Sequence, residues 1–144
     1  MSRPWPRRPW ILPAVFFGVG YALVGILFAI SPAHVQMWRL AAWAVSAAGC
    51  GAHIAYECVR RKNSPGPVAR HVALAVAIGG FGVAVGANLH AVSAGTTGAH
   101  QNLLLLSLVL WPVLTALPAF LVALVVSVVL TRVLGTGAAP IARD

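Results

Sequence analysis

Residues 103–131 read LLLLSLVLWPVLTALPAFLVALVVSVVLT, a run of 29 residues without a charged side chain. A helix needs about 20 predominantly apolar residues to cross the hydrocarbon core of a bilayer. The run exceeds one crossing, and Pro112 and Pro118 inside it predict a kinked helix. This stretch therefore predicts a membrane-spanning helix over about 103–132.

The composition of the whole chain agrees with a membrane location. Of its 144 residues, 60% are hydrophobic and 8% are charged, and the mean hydropathy is +0.88. Soluble domains carry about 25% charged residues, so the composition argues against a water-soluble globule. No stretch is long enough for a separate soluble catalytic domain. We expect a single transmembrane domain over residues 1–144.

Three further apolar runs precede the long one, at about 11–31, 36–60 and 67–93. The first follows RPWPRRPW, a mixture of tryptophan and arginine that is typical of an interfacial anchor. The first run is longer than the 7–15 residues of a usual signal-peptide core, so we expect a retained span. The four runs predict an all-α integral membrane protein, a bundle of four transmembrane helices.

The basic residues predict the orientation of the spans. Nine of the ten Lys and Arg residues flank one side of the membrane, and Arg39 alone lies at the other. By the positive-inside rule both termini are cytoplasmic. The arginine-rich composition suggests a bacterial protein, multi-pass in the cytoplasmic (inner) membrane. The formal net charge of +8 flanks apolar spans, so we expect contact with lipid headgroups and no nucleic-acid partner.

The second run collects its polar groups on one face. At 100° per residue, one sector of about 100° contains Arg39, Ser46, His53, Tyr56, Glu57 and Arg60. Ionisable side chains are costly in contact with lipid, so this face is expected to look into the bundle, a water-filled cleft or a subunit interface. If the second and third helices are antiparallel neighbours, Glu57 and His71 lie together at the cytoplasmic boundary.

Glu57 is the only carboxylate in any of the four runs. A structural role would be an ion pair or hydrogen bond between the second and third helices, with a partner among Arg60, Arg61, Arg70 and His71. A functional role would be a proton-carrying carboxylate coupled to His53. Small bacterial drug exporters with four spans are similar in size, but they carry their essential carboxylate in the first span, where this chain has no acid.

Small residues recur at helical spacing and predict close helix contacts, within the bundle or with a partner. The predicted packing residues are Gly18, Ala22 and Gly25 in the first run, Gly49 in the second, and Gly79, Gly82 and Gly86 in the third. Ala84 lies well round the third helix from its stripe, so leucine is expected to be tolerated there.

Two histidines follow a glycine by one helical turn, namely His53 after Gly49 and His90 after Gly86. Because a ligated tetrapyrrole needs a small neighbouring turn, both are possible ligands of haem or a chlorophyll-type pigment. They lie toward opposite faces of the membrane and cannot clamp one macrocycle, so no cofactor is predicted. No metal site and no catalytic residue are predicted either.

Three functions remain open. The leading one is a non-catalytic accessory or structural subunit of a larger membrane complex, of respiratory or photosynthetic type. Its partners would be the lipid bilayer and other membrane-protein subunits, or further copies of itself. The alternatives are a small oligomeric transporter or channel that uses His53 and Glu57, and a haem- or pigment-binding membrane protein.

Overall fold

The computed structural model describes residues 11–30, 35–95 and 100–136. Of these residues 95% are helical and none is in a strand, which confirms the all-α prediction. The α-helices are α1 (Ile11–Ile30), α2 (Val35–Ala55), α3 (Pro65–Ser93) and α4 (His100–Thr136). One π-helical turn, Tyr56–Arg60, continues α2. The predicted anchor at residues 3–10 lies outside the described residues.

The reversal between α2 and α3 is short and has a local explanation in the sequence. Lys62 takes a left-handed conformation with φ of 54°, which ends the helical run. Pro65 and Pro67 lie in the first turn of α3, where backbone N–H groups have no helical partner and proline is tolerated. At its other end α3 stops before Gly95, which has φ of 68°, a conformation favoured by glycine.

The fourth helix continues through both of its prolines. Thr115 lies between them and donates its hydroxyl to the carbonyl of Trp111 at 2.9 Å. Proline is associated with helix kinks because it removes one backbone donor. The kink in α4 stays a prediction. α4 also runs beyond the apolar stretch that predicted it, at both ends.

The third helix is the centre of the fold. α3 packs along α1 on one side and along α4 on another, whereas α2 contacts α1 and meets α3 and α4 mainly near its C-terminal end. The buried core cluster lies at that end and contains Ile54, Cys58, Val68, Ala69, Val72 and Ala123. Residues 36–48 of α2 are exposed or half-buried. The structure thus anchors α2 chiefly through its last turns.

The predicted small-residue stripes of α1 and α3 face each other. A Cβ added at Gly79 would lie 2.5 Å from the Cβ of Tyr21, and one added at Gly82 would lie 2.6 Å from the Cβ of Ala22. Gly18 and Gly25 likewise contact α3, against Ile78 and Val83. Gly86 is less tightly packed, with Ile26 at 3.5 Å from an added Cβ. These glycines let the two backbones approach closely.

A second face of α3 packs against α4, and here one expectation is wrong. The sequence suggested that leucine would be tolerated at Ala84. Ala84 is only 4% exposed, so a leucine there would not fit without moving its neighbours. On the same side, a Cβ added at Gly80 would lie 2.7 Å from Oγ1 of Thr115 and 3.4 Å from Cα of Pro112. α3 therefore makes two close helix contacts, one with α1 through the glycine stripe and one with α4.

Two of the described helices are long and apolar enough to cross a membrane. Pro65–Ser93 of α3 has a mean hydropathy of 2.0, and residues Gln101–Leu134 of α4 reach 2.7. Only 28% and 11% of their apolar windows are buried inside the protein. The core helix of a soluble protein would be mostly buried. α3 and α4 differ from such a helix, because most of their apolar surface faces outward. α1 is a shorter apolar helix.

Candidate functional site

A polar cluster surrounds Glu57 in the π-helical turn, and its carboxylate is fully buried. Nδ1 of His71, in α3, lies 3.0 Å from Oε2 of Glu57. Asn63 donates its side-chain amide to the same oxygen. Nη1 of Arg61 lies 3.7 Å from Oε1. We call these four residues the Glu57 cluster, and they tie the end of α2, the turn and α3 together.

The π-helical turn changes the angular spacing of the residues around Glu57. The N–H of Arg61 donates to the carbonyl of Tyr56, five residues earlier, at 3.2 Å. Such a turn holds more residues than an α-helical turn, so spacing at 100° per residue fails here. Arg61 faces Glu57, while Arg60 and Tyr56 are exposed. Arg60 and Tyr56 therefore do not lie in the interior of this bundle, which was one of the three settings predicted for their face.

His53 lies one turn before Glu57 and is also fully buried. Its ring stacks on Phe17 of α1, with the ring centroids 4.1 Å apart and the planes 6° from parallel. Neither ring nitrogen has a hydrogen-bond partner among the described residues, and Oε1 of Glu57 has none either. Buried polar atoms are nearly always hydrogen-bonded, so this pair calls for an explanation.

The remaining predicted polar residues do not join this site. Arg39 is exposed near the start of α2, and Ser46 is half-buried in its middle. His90 is exposed near the end of α3. Of the predicted polar residues, the structure brings together Glu57 and His71, and His53 is buried one turn before Glu57.

A tetrapyrrole does not fit at His53 with these side chains in place. Phe17 covers one face of the imidazole, and an added Cβ on Gly49 would lie 3.3 Å from the ring of Tyr21. Gly86, one turn before His90, faces Ile26 of α1. The glycines that suggested pigment pockets thus contact α1. Within the described ranges no three His, Cys, Asp or Glu side chains are grouped as metal ligands.

Sequence reasoning missed Asn88, which joins α3 to α4. Its side-chain amide donates to the carbonyl of Leu104 at 2.9 Å and to that of Ala84 at 2.8 Å. The hydroxyl of Ser107 lies 3.5 Å away. A lone amide in an apolar helix favours contact with a neighbouring helix, and that signal was present in the sequence. A groove of about 210 Å³ opens beside Asn88 between the two helices.

The described part of the chain is an all-helical protein with two helices of membrane-spanning length and a buried polar cluster at one end. Comparison with protein-family models, with curated proteins and with solved structures finds no match to this chain. The buried ionisable side chains of this cluster and its neighbourhood are Glu57, which contacts His71 of α3, and His53, which stacks on Phe17 of α1.

Proposed function

We propose that the chain crosses a bacterial inner membrane four times and serves as a non-catalytic accessory subunit of a larger membrane complex. In this arrangement both termini and the α2–α3 turn are cytoplasmic. Arg60, Lys62 and Arg70 are exposed around that turn, and Arg132 is exposed near the end of α4. Arg39 lies at the opposite end of α2. This distribution supports the orientation by the positive-inside rule.

The exposed surfaces of α1 and α2 support their placement in lipid. Phe16 and Leu27 of α1 are 76% and 67% exposed, and Met37 and Trp43 of α2 are 69% and 76% exposed. In water, apolar surface on this scale favours association, whereas in a bilayer it is solvated by acyl chains. The same holds for the outward face of α4, most of which is apolar.

The observation that carries the accessory role is an exposed stripe of small residues on α2. Four residues at helical spacing form this α2 stripe: Ala44, Ala48, Gly51 and Ala55. All four are exposed, and a Cβ added at Gly51 would meet nothing within 4 Å. α1 and α3 use the same kind of stripe to contact each other. The α2 stripe is of the same kind but is exposed, so it fits a helix of another subunit.

The Glu57 cluster supports a structural role for the chain. Its carboxylate is held by Arg61, Asn63 and His71 of the same chain. Removing one partner of a buried charge is costly, so the cluster stabilises the α2–α3 reversal. The reversal in turn holds α2 in place with its stripe facing outward.

The test is purification of the full chain from its native membrane in a mild detergent, followed by mass spectrometry. We expect other membrane subunits in fixed ratio with the wild-type chain, and their loss in Gly51→Leu. Gly20→Leu is the matched control, because Gly20 is also helical, exposed and free of neighbours within 4 Å of an added Cβ. A wild-type chain that purifies alone, or a Gly51→Leu variant that keeps its partners, would contradict the proposal.

A transporter or channel is the second candidate, supported by the burial of His53 and Glu57 one turn apart. The same purification distinguishes it, because a transporter of this size would appear as an oligomer of this chain alone. An absorption spectrum of the same sample tests the haem or pigment alternative, which predicts a visible or near-infrared band.

A further inference from the structure

The groove beside Asn88 lies between the last turns of α3 and the first turns of α4. We call it the Asn88 groove, and its volume is about 210 Å³. Its apolar lining combines half-buried and exposed side chains, namely Val85, Leu104 and Leu108 on the one hand and Leu89, Val92 and Leu105 on the other. In a bilayer the exposed ones contact acyl chains, so the groove opens into the lipid.

The amide of Asn88 gives the groove a hydrogen-bond acceptor. Nδ2 lies 2.8 Å from the carbonyl oxygen of Ala84 and 2.9 Å from that of Leu104. Two carbonyl acceptors fix this end of the amide as the nitrogen and use both of its N–H groups. Oδ1, the other end, receives no hydrogen bond from the described residues and is not fully buried. A molecule in the groove can therefore donate a hydrogen bond to it.

We propose that the Asn88 groove binds a membrane quinol, which is a ring with hydroxyl groups carried on an apolar tail. One hydroxyl donates to Oδ1 of Asn88, and the tail lies along the exposed side chains of Leu89 and Leu105. The proposal does not depend on the accessory role, because it requires only that α3 and α4 lie in the bilayer.

The size and the charge of the groove favour this ligand. An apolar cavity of about 150 Å³ holds benzene, so about 210 Å³ accommodates a single substituted ring. The lining contains no charged side chain among the described residues, so the phosphate of a phospholipid would find no cation here. An acyl chain alone would leave Oδ1 of Asn88 without a donor. The ring of a quinol fills the apolar space and supplies that donor.

The free acceptor also predicts a preference for the reduced form of the ring. A quinol carries O–H donors, whereas the quinone of nearly the same shape carries only carbonyl acceptors. Both N–H groups of Asn88 are already used, so its amide offers a ligand an acceptor and no donor. A quinone would therefore forfeit this hydrogen bond, and we expect it to bind about 5-fold more weakly. The proposal concerns binding and includes no electron transfer.

The test uses the full chain in lipid nanodiscs, labelled with ¹³C-asparagine and titrated without oxygen with a decyl-substituted benzoquinol. The chain has three asparagines, and Asn63 and Asn102 do not line the groove. By NMR we expect a saturable shift of the side-chain carbonyl signal of Asn88 alone, and an about 5-fold higher Kd for the corresponding quinone. Equal shifts at all three asparagines, or equal affinity for both forms, would overturn the proposal.

Two matched substitutions on α3 separate the groove from general partitioning of the ligand into lipid. Ala91 lines the groove, so Ala91→Phe should fill it and abolish the shift at Asn88. Ala87 is exposed and does not line it, so Ala87→Phe adds the same side chain and should bind the quinol as the wild type does. Unchanged binding by Ala91→Phe would contradict the proposal. If that variant fails to fold, the comparison of quinol and quinone on the wild-type chain decides alone.

Discussion

Nδ1 of His71 lies 3.0 Å from Oε2 of Glu57, which joins the second turn of α3 to the end of α2. Asn63 and Arg61, from the chain between the two helices, contact the same carboxylate. One buried side chain thus fixes both the direction in which the chain reverses and the register of α2 against α3.

Replacing Glu57 by glutamine should lower the stability of the whole protein. The substitution removes the charge that compensates Arg61 and breaks the hydrogen-bond arrangement with His71, so we expect a loss of about 3 kcal/mol in unfolding free energy. Thermal unfolding of the purified chain, followed by circular dichroism, measures the effect. Arg60→Gln is the matched control, because Arg60 is exposed and its loss should cost no more than about 0.5 kcal/mol. Equal melting of both variants would contradict a structural role for Glu57.

Leucine at Gly82 should disrupt the contact between α1 and α3. An added Cβ there lies 2.6 Å from the Cβ of Ala22, so the larger side chain must push the helices apart. Overpacking of this kind costs about 1–3 kcal/mol, measured as a lower melting temperature and a lower yield after detergent extraction. Gly20→Leu, on the open side of α1, should leave both unchanged. A loss of the same size in both variants would contradict the contact with Ala22 as its cause, because leucine has a higher helix propensity than glycine.

Leucine at Asn88 should weaken the contact between α3 and α4. The substitution removes the hydrogen bond to the carbonyl of Leu104 while keeping a side chain of similar length. Interhelical hydrogen bonds in membranes contribute about 1 kcal/mol, so we expect a destabilisation of that size in thermal unfolding. Asn102→Leu changes the same residue type at an exposed site of α4 and should be neutral. No difference between the two variants would indicate that Asn88 does not hold α4.

The helices themselves could be predicted from the sequence because each depends on a long apolar run bounded by prolines, glycines or charges. The packing of α1 on α3 could also be predicted from the sequence, because Gly79 and Gly82 stand out in a helix of larger residues. The position of Glu57 near the α2–α3 turn also suggested His71 and Arg61 among its possible partners.

Two features could not be predicted from the sequence, and each failure has a physical cause. The π-helical turn changes the angular spacing after Ala55, so a helical wheel places Tyr56 and Arg60 on the face of Glu57, whereas both are exposed in the structure. Residues 72–87 of α3 have no polar side chain, so their periodicity does not distinguish a face against lipid from a face against α4. The distance of Ala84 from the glycine stripe consequently predicts that leucine is tolerated there, whereas the structure leaves Ala84 only 4% exposed. Asn88 was the better marker of that face.

In the proposed topology the chain crosses the membrane four times, and the α2–α3 turn lies in the cytoplasm. Ser64 in that turn and Ala94 after α3 are both exposed, and they lie at opposite ends of α3. The direct measurement introduces Ser64→Cys or Ala94→Cys in a background with Cys50→Ala and Cys58→Ala, and treats intact bacteria with a membrane-impermeant maleimide. We expect labelling of the cysteine at 94 in intact cells and of the cysteine at 64 only after permeabilisation. Labelling of the cysteine at 64, and not of that at 94, from the outside of intact cells would contradict the claim.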